Sequence, residues 1–292
     1  MSLSIVVTGA LGQLGSEIRE LASQYPYHFV FTDRDELDVT TPKQVKEFFV
    51  QHRFRWCINC ASYTAVDKAE SEREQAFSVN AESVRNLVAA CCEVDAQLLH
   101  VSTDFVFDGM KSSPYTEDDE THALSVYGAS KLAGEGEALK YPKSFIVRTA
   151  WLYSSFGKNF VKTILRLASE RKEIGVIFEQ VGTPTYARDL ARALLAMIAY
   201  SEAHSYTLSD LYGLYHYSNE GVASWYDFAQ AIVDAAGSLC LIKPIEVKDY
   251  PTPARRPFYS VLNKGKIKKT FDISIPHWRK SLEECMKLLL RG

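Results

Sequence analysis

The sequence has no basic surplus, no long apolar run and too few cysteines to staple it. Its 33 basic residues stand against 36 acidic ones, a net charge of −3, whereas nucleic-acid binders carry a basic stripe. No stretch approaches the roughly 18 apolar residues of a membrane span. The N-terminus enters a strand pattern without a charged-then-apolar leader. Six cysteines in 292 residues are no disulfide framework. There is no Gly-x-Ser-x-Gly, so a serine hydrolase has no support, and no repeat or low-complexity tract. These absences argue against nucleic acid and membrane as partners and predict a cytoplasmic protein.

What is present is ordinary globular stock, 47% hydrophobic and 24% charged, able to bury a full core in one or two domains. Short apolar runs at 4–7, 29–32, 56–59, 98–101 and 145–147 read as buried strands. Amphipathic stretches at 13–22, 44–49, 83–91 and 130–139 read as helices between them. This alternation predicts an α/β fold, a Rossmann-like doubly wound parallel sheet. After about Phe156 the rhythm loosens. Helices are expected at 159–169, 187–200, 224–236 and 275–290, short strands at 174–178 and 214–217, and connections at Pro184, Pro244, Pro251, Pro253 and Pro257. The reading is a dinucleotide-binding part over 1–156 and a smaller α/β lobe over 157–292, with later segments returning to the first part.

The first strand runs into Gly9-Ala10-Leu11-Gly12-Gln13-Leu14-Gly15. Gly9 suits a tight turn, Gly12 lets backbone approach a pyrophosphate, and Gly15 lets the following helix pack closely. A helix opening near Gln13 points its N–H groups and positive dipole end at phosphate. Asp33, at the end of the second strand, is placed for ribose hydroxyls. Arg34 beside it would receive a 2′-phosphate, and Asp38-Val39 would border the adenine. A solvated charged turn is the other reading of residues 33–36.

Tyr127 and Lys131 are four apart, so on a helix they share a face. A lysine ammonium there would draw the tyrosine pKa down from about 10 and make a general acid for a carbonyl oxygen. With 16 tyrosines such a pair arises by chance, so its position carries the argument. It follows Ser102-Thr103-Asp104 at the end of a buried strand, where open parallel sheets bind ligands. Thr103 would then hold the oxygen that Tyr127 protonates. Turn or cap duty is the bland alternative for Ser102 and Thr103. Cys57-x-x-Cys60 has metal spacing but lies on a buried strand, and it reads as core, as do Cys91-Cys92. His100 reads as strand-packed rather than as a base.

Together these pieces resemble the extended short-chain dehydrogenase/reductase family, in the branch that reduces dTDP-bound 4-keto-6-deoxy sugars. The carrying segments include Ala61-Ser62-Tyr63-Thr64-Ala65-Val66-Asp67-Lys68-Ala69-Glu70, Val79-Asn80-Ala81, Ser102-Thr103-Asp104-Phe105-Val106-Phe107-Asp108-Gly109 and Arg148-Thr149-Ala150-Trp151. Asn159-Phe160, Gly182-Thr183-Pro184-Thr185 and Arg255-Arg256-Pro257-Phe258-Tyr259-Ser260 extend the likeness into the second half. The resemblance implies reduction of dTDP-4-dehydrorhamnose with NADPH or NADH, and Thr103, Tyr127 and Lys131 as the catalytic set. It places the cofactor on Gly9, Gly12, Gln13, Leu14, Gly15, Asp33, Arg34, Asp38, Val39, Cys60, Ala61, Ser62, Tyr63, Asn80, Tyr127 and Lys131. The substrate falls to Thr103, Asp104, Phe105, Val106, Trp151, Asn159, Phe160 and Arg256. Arg256 follows the stiff loop Pro251-Thr252-Pro253, and its planar fork suits a diphosphate.

Departures from the family pattern matter as well. Dehydratases of this superfamily place a second carboxylate after the aspartate that follows the threonine, but here Phe105 follows Asp104. Some family members dimerise through Mg²⁺ held by glutamates. Glu17 matches one of them, but Arg188 stands at the second position and the chain ends Arg291-Gly292. No structural metal is therefore expected, and a monomer or weak homodimer is. Asp33 favours NADH and Arg34 favours NADPH, so dual use with less than about tenfold preference is predicted. Two rival readings are a related sugar-nucleotide epimerase or dehydratase, and a non-catalytic NADP-binding subunit like the β-subunit of methionine adenosyltransferase.

Overall fold

Parallel strands cannot be joined by tight turns, so each return is a crossover, here mostly helical. The computed structural model describes residues 3–291, with the side chains of 205–207 left outside the description. Its first half runs through strand Ser4–Thr8 (β1), helix Gln13–Leu21 (α1), strand His28–Thr32 (β2), helix Pro42–His52 (α2) and strand Trp56–Asn59 (β3). The short helices Val66–Ala69 (α3) and Arg73–Phe77 (α4), helix Ser83–Val94 (α5), strand Gln97–Thr103 (β4), helix Val126–Leu139 (α6) and strand Ser144–Thr149 (β5) follow.

These five strands and Gly213–His216 form one parallel sheet in the order Gly213–His216, β5, β4, β3, β1, β2. The direction of winding reverses between β1 and β3, the place where such sheets open a crevice. Every residue of β3 and β5 is buried, as strands covered on both faces require. Alternate side chains feed two cores. Ile5, Val7, Trp56, Ile58 and Phe145 pack with Leu14 and Ile18 of α1 and with Leu190, Leu194 and Ile198 of helix Ala187–Ala203. Val6, Cys57, Leu98 and Ile146 pack on the other side with Val45 and Phe49 of α2 and Leu87 and Cys91 of α5.

The second half therefore lends this sheet one strand and two packing helices, Ala187–Ala203 and the short Gly265–Phe271, whose Ile267 and Phe271 join the same core. Its remaining elements surround a core of their own, where Tyr153, Tyr186, Phe228, Ile232 and Trp278 meet. Helices Phe160–Glu170, Trp225–Ala235 and Trp278–Leu289 enclose it, with the parallel pair Glu173–Ile177 and Leu241–Ile245. Pro244 lies inside that last strand rather than in a connection. The strand pairs on one side only, and an edge position tolerates the missing N–H. Helix α6 begins four residues before its expected start at 130, because two caps extend it. Ser125 Oγ accepts from Gly128 N at 3.1 Å, and a Glu70 carboxylate oxygen accepts from Val126 N at 2.9 Å.

A buried ion pair helps to sew the halves together. Glu17 on α1 has no exposed surface. One carboxylate oxygen accepts from Ser154 Oγ and the other from Arg188 Nε, each at 2.7 Å. The position matched to a metal-holding glutamate is thus committed to protein donors, while Gly292 lies outside the described residues. Removing one partner strands a buried charge. Arg188→Met should cost about 3 kcal/mol in urea unfolding, and a loss below about 0.5 kcal/mol, typical of surface changes, would mean that Glu17 finds another counter-charge.

Candidate active site

The glycine loop is shaped by contacts that leave no room for a side chain. Gly9 has φ +64°, and a Cβ there would lie 2.7 Å from the Ala61 backbone. At Gly15 a Cβ would sit 2.5 Å from the Gly9 carbonyl oxygen. β1 and β3 therefore end in backbone-to-backbone contact, and α1 starts directly above. The N-cap of α1 is Gly12, which offers no side-chain acceptor. The first N–H groups of the helix stay free for an anion, aided by the dipole.

A cleft of about 690 Å³ opens here, lined by Gly9, Gly12, Asp33, Arg34, Asp38, Val39, Cys60, Ala61 and Ser62 among the expected cofactor residues. The structure adds Leu11, Leu37, Thr40, Glu74, Gln75, Ser78 and Val79 to its walls. Asp33 has a duty the sequence did not reveal: its carboxylate accepts from Leu11 N at 2.9 Å and from Arg34 N at 2.8 Å, so it braces the glycine loop. Arg34 is largely exposed and only 3.9 Å from Asp38, which leaves it free to meet a phosphate. Glycine clearance, a bare helix start and an acid at the second strand's end together fit a nicotinamide dinucleotide.

Four expected contact residues turn out to act from behind the walls. Leu14 sends its side chain into the main core, leaving only its backbone for a cofactor. Asn80 is buried and faces protein. Its oxygen accepts from Tyr63 N (2.8 Å) and Ser62 Oγ (3.0 Å), and its nitrogen donates to Tyr63 O (3.1 Å) and Ser130 Oγ (2.9 Å). It fixes the cleft segment 61–63 and ties it to α6. Val106 is wholly buried with Phe107, Tyr115, Ala150 and Leu262, so it is core rather than a substrate contact. Asn159 caps the helix Phe160–Glu170 and donates to Gln13 Oε1 (3.0 Å) and Ser154 O (2.7 Å). Both amide groups are thus engaged within the protein. Residues of the right type at the right spacing can face either side of a loop, which spacing alone does not encode.

Thr103, Tyr127 and Lys131 do come together. β4 ends at Thr103, and α6 crosses its end. The Thr103 hydroxyl donates to Asp104 Oδ1 at 3.1 Å and lies near enough to the Tyr127 phenol to pull its pKa down, and Phe105 sets its ring edge-on to Tyr127 at 5.5 Å. Lys131 is buried and donates from Nζ to the Val101 carbonyl at 2.7 Å. Its pKa is pulled down to about 8, mainly by burial, with Glu135 opposing the shift. The expected lowering of the tyrosine is not found. Burial is the largest influence on Tyr127 and, with the nearby Asp104 charge, outweighs the Thr103 contact, so its pKa stands at about 12. Lys131 points at a carbonyl instead of the phenol. A phenol kept protonated at neutral pH still suits a proton donor.

Sequence reasoning missed what anchors this trio. Glu135, one turn beyond Lys131 on the same face, takes Arg148 Nε (2.9 Å), Arg148 Nη2 (2.7 Å) and Ser102 Oγ (2.5 Å). The i+4 step from Lys131 was the available signal. Trp151, at the end of β5, adopts φ +47°. Its indole stacks on Trp225 at 3.6 Å and 4°, and a Cβ at Gly182 behind it would be 2.7 Å away. His100 is buried, its Nδ1 3.0 Å from Asn59 Nδ2, and burial holds it neutral. Among the described residues no cluster of His, Cys, Asp and Glu is arranged to hold a metal.

Comparison with known proteins agrees with this geometry. Residues 3–291 match the family model described as the RmlD substrate binding domain. A dTDP-4-dehydrorhamnose reductase of Aggregatibacter actinomycetemcomitans is 42% identical over 287 residues, covering 96% of this chain and 97% of that protein. The crystal structure of a Clostridium acetobutylicum dTDP-4-dehydrorhamnose reductase superposes with TM-score 0.92 at 40% identity, over 99% of this chain and 100% of that one. The Bacillus anthracis dTDP-4-dehydrorhamnose reductase in complex with NADP gives 0.93 at 37% identity, with the same coverage.

Asp104 supplies a test independent of catalysis. It is buried, and burial lifts its pKa from 3.8 to about 6 despite the Ser260 and Thr103 hydroxyls. A carboxyl raised in the folded state stabilises while protonated, and that contribution is lost as pH climbs from about 4 through about 6. Asp104→Asn should therefore gain stability relative to the parent between pH 4 and 7.5, by about 2–3 kcal/mol in urea titrations. A difference independent of pH would show that the carboxyl titrates normally.

Proposed function

The chain belongs to the RmlD substrate binding domain family, and on that premise we propose that it reduces dTDP-4-dehydrorhamnose to dTDP-L-rhamnose with NADPH or NADH. The observation that carries the reading is the convergence of Thr103, at the end of β4, with Tyr127 and Lys131 of α6, where Lys131 Nζ is tied to the Val101 carbonyl of the same strand, beside a cleft built for a dinucleotide. A bound nicotinamide supplies the hydride that reaches C4 of the sugar.

The protein's own residues do the rest. Thr103 donates toward the C4 oxygen and orients it. Tyr127, protonated at neutral pH, delivers its proton to that oxygen as the carbon is reduced, which closes the balance of one hydride and one proton. Lys131 faces the Cys60 side of the cleft and holds the nicotinamide ribose through its ammonium. The strained Trp151 offers an aromatic face to the sugar, with Phe160 packed on Trp225 beside it. Arg256 holds the diphosphate. Elimination is disfavoured because the residue after Asp104 is Phe105, whose ring packs on Tyr127 where a dehydratase needs a second carboxylate. Asp33 and Arg34 share the ribose edge, so both cofactors serve, with less than about tenfold preference. The protein works in the cytoplasm as a monomer or weak homodimer.

Product analysis after supplying NADPH and dTDP-4-dehydrorhamnose should yield dTDP-L-rhamnose. A 4-keto product from dTDP-glucose would instead make it a dehydratase. Tyr127→Phe should cut turnover at least about 100-fold and leave the NADPH Kd within about twofold of the parent. Near-normal turnover would remove Tyr127 as the donor.

A further inference from the structure

Arg256 lies in the loop before Pro257 and Phe258, which press on Gly109: a Cβ there would be 2.7 Å from both. Four residues on, Ser260 stands at the Asp104 carboxyl. The loop thus borders the mouth of β4. Arg256 is not loose in it. Nη1 donates to Asp67 Oδ1 (3.0 Å), Thr252 Oγ1 (2.7 Å) and the Ala254 carbonyl (3.1 Å), and Nη2 donates to Asp67 Oδ2 (2.8 Å). Asp67 also accepts from Ala254 N at 3.2 Å. One carboxylate, 189 residues away in sequence, therefore clamps both the guanidinium and the loop that carries it.

A guanidinium has two bidentate edges. Asp67 takes the end edge, Nη1 with Nη2. The side edge, Nε with the second Nη2 hydrogen, has no partner among the described residues. A plane fixed by Asp67 on its end edge and by Thr252 and Ala254 at Nη1 presents two parallel donors on its side edge, the arrangement that grips phosphate oxygens. The other end of the clamp matters equally. Asp67 sits on α3, and Glu70 at the end of the same short helix caps the start of α6 through Val126 N, next to Tyr127. The cation and the proton donor are thus referred to one four-residue helix.

We propose that Asp67 is a positioning residue for the sugar nucleotide: it locks Arg256 end-on so that the side edge of the guanidinium receives the diphosphate at a fixed distance from Tyr127. The proposal rests on Arg256 as the diphosphate holder and goes beyond it by naming what aims the arginine. The Arg256 fork keeps the Asp67 carboxyl below its usual range, so it stays anionic at neutral pH. An arginine freed from Asp67 keeps its charge but loses its direction, so phosphate binding weakens while binding of the base does not.

The experiment is calorimetric titration of the full chain, loaded with NADPH, with dTDP and with thymidine. Asp67→Asn keeps the shape and removes the charge. It should weaken dTDP about tenfold, leave thymidine within about twofold, and leave the NADPH Kd unchanged. Arg256→Ala should weaken dTDP at least as much, and Asp67→Asn should add little in the Arg256→Ala background. If Arg256→Ala weakens dTDP while Asp67→Asn leaves it unchanged or tightens it, Asp67 is a bystander or a competitor, and this inference fails with the Arg256 assignment intact. If Arg256→Ala has no effect on dTDP, the assignment of the diphosphate to Arg256 is itself wrong. Equal weakening of dTDP and thymidine would reveal a general collapse of the lobe and would also overturn the proposal.

Discussion

The site depends on one buried ion pair. Arg148 on β5 and Glu135 on α6 are almost fully buried and bind each other through two hydrogen bonds, with the Ser102 hydroxyl of β4 completing the carboxylate. Two charges taken out of water are tolerated only when each is fully paired. That requirement fixes the rotation and height of α6 over β4 and β5. Tyr127 and Lys131 lie on the same face two turns and one turn earlier, so the pair that satisfies Glu135 also sets Tyr127 over Thr103. A helix held by apolar contacts alone would have softer register, because hydrophobic packing is not directional.

Three polar links join the two halves around the glycine loop and the mouth of β4. Glu17 meets Arg188 and Ser154 behind the glycine loop. Gln13, at the start of α1, accepts from Asn159. Asp67 meets Arg256 beside the mouth of β4. Each link pairs a residue of the dinucleotide-binding half with one of the later half. Polar links of this kind set distance without filling the space with apolar bulk.

Electrostatics within the site runs opposite to the simplest expectation. Four-residue spacing put lysine beside tyrosine, but the ammonium found a carbonyl, and burial dominated the phenol. Desolvation disfavours whichever form carries charge, so it raises the tyrosine and lowers the lysine together. The outcome is a neutral phenol and a lysine whose pKa is pulled down to about 8.

Local sequence was enough for what depends on neighbours along the chain. Alternating apolar runs predicted the parallel sheet, because buried strands and amphipathic crossovers have distinct periods. The glycine triplet predicted the bare helix start, because only glycine allows that backbone approach. Thr103, Tyr127 and Lys131 were legible because their positions at a strand's end and on one helix face follow from local periodicity. Tertiary structure alone decided which way Asn80, Val106 and Asn159 face, since a loop residue's direction is set by packing partners far along the chain. It also decided the partners of Asp67, Glu17 and Glu135. Carboxylates carry no local label for their counter-charges, and only the closed fold brings Arg256, Arg188 and Arg148 within reach of them.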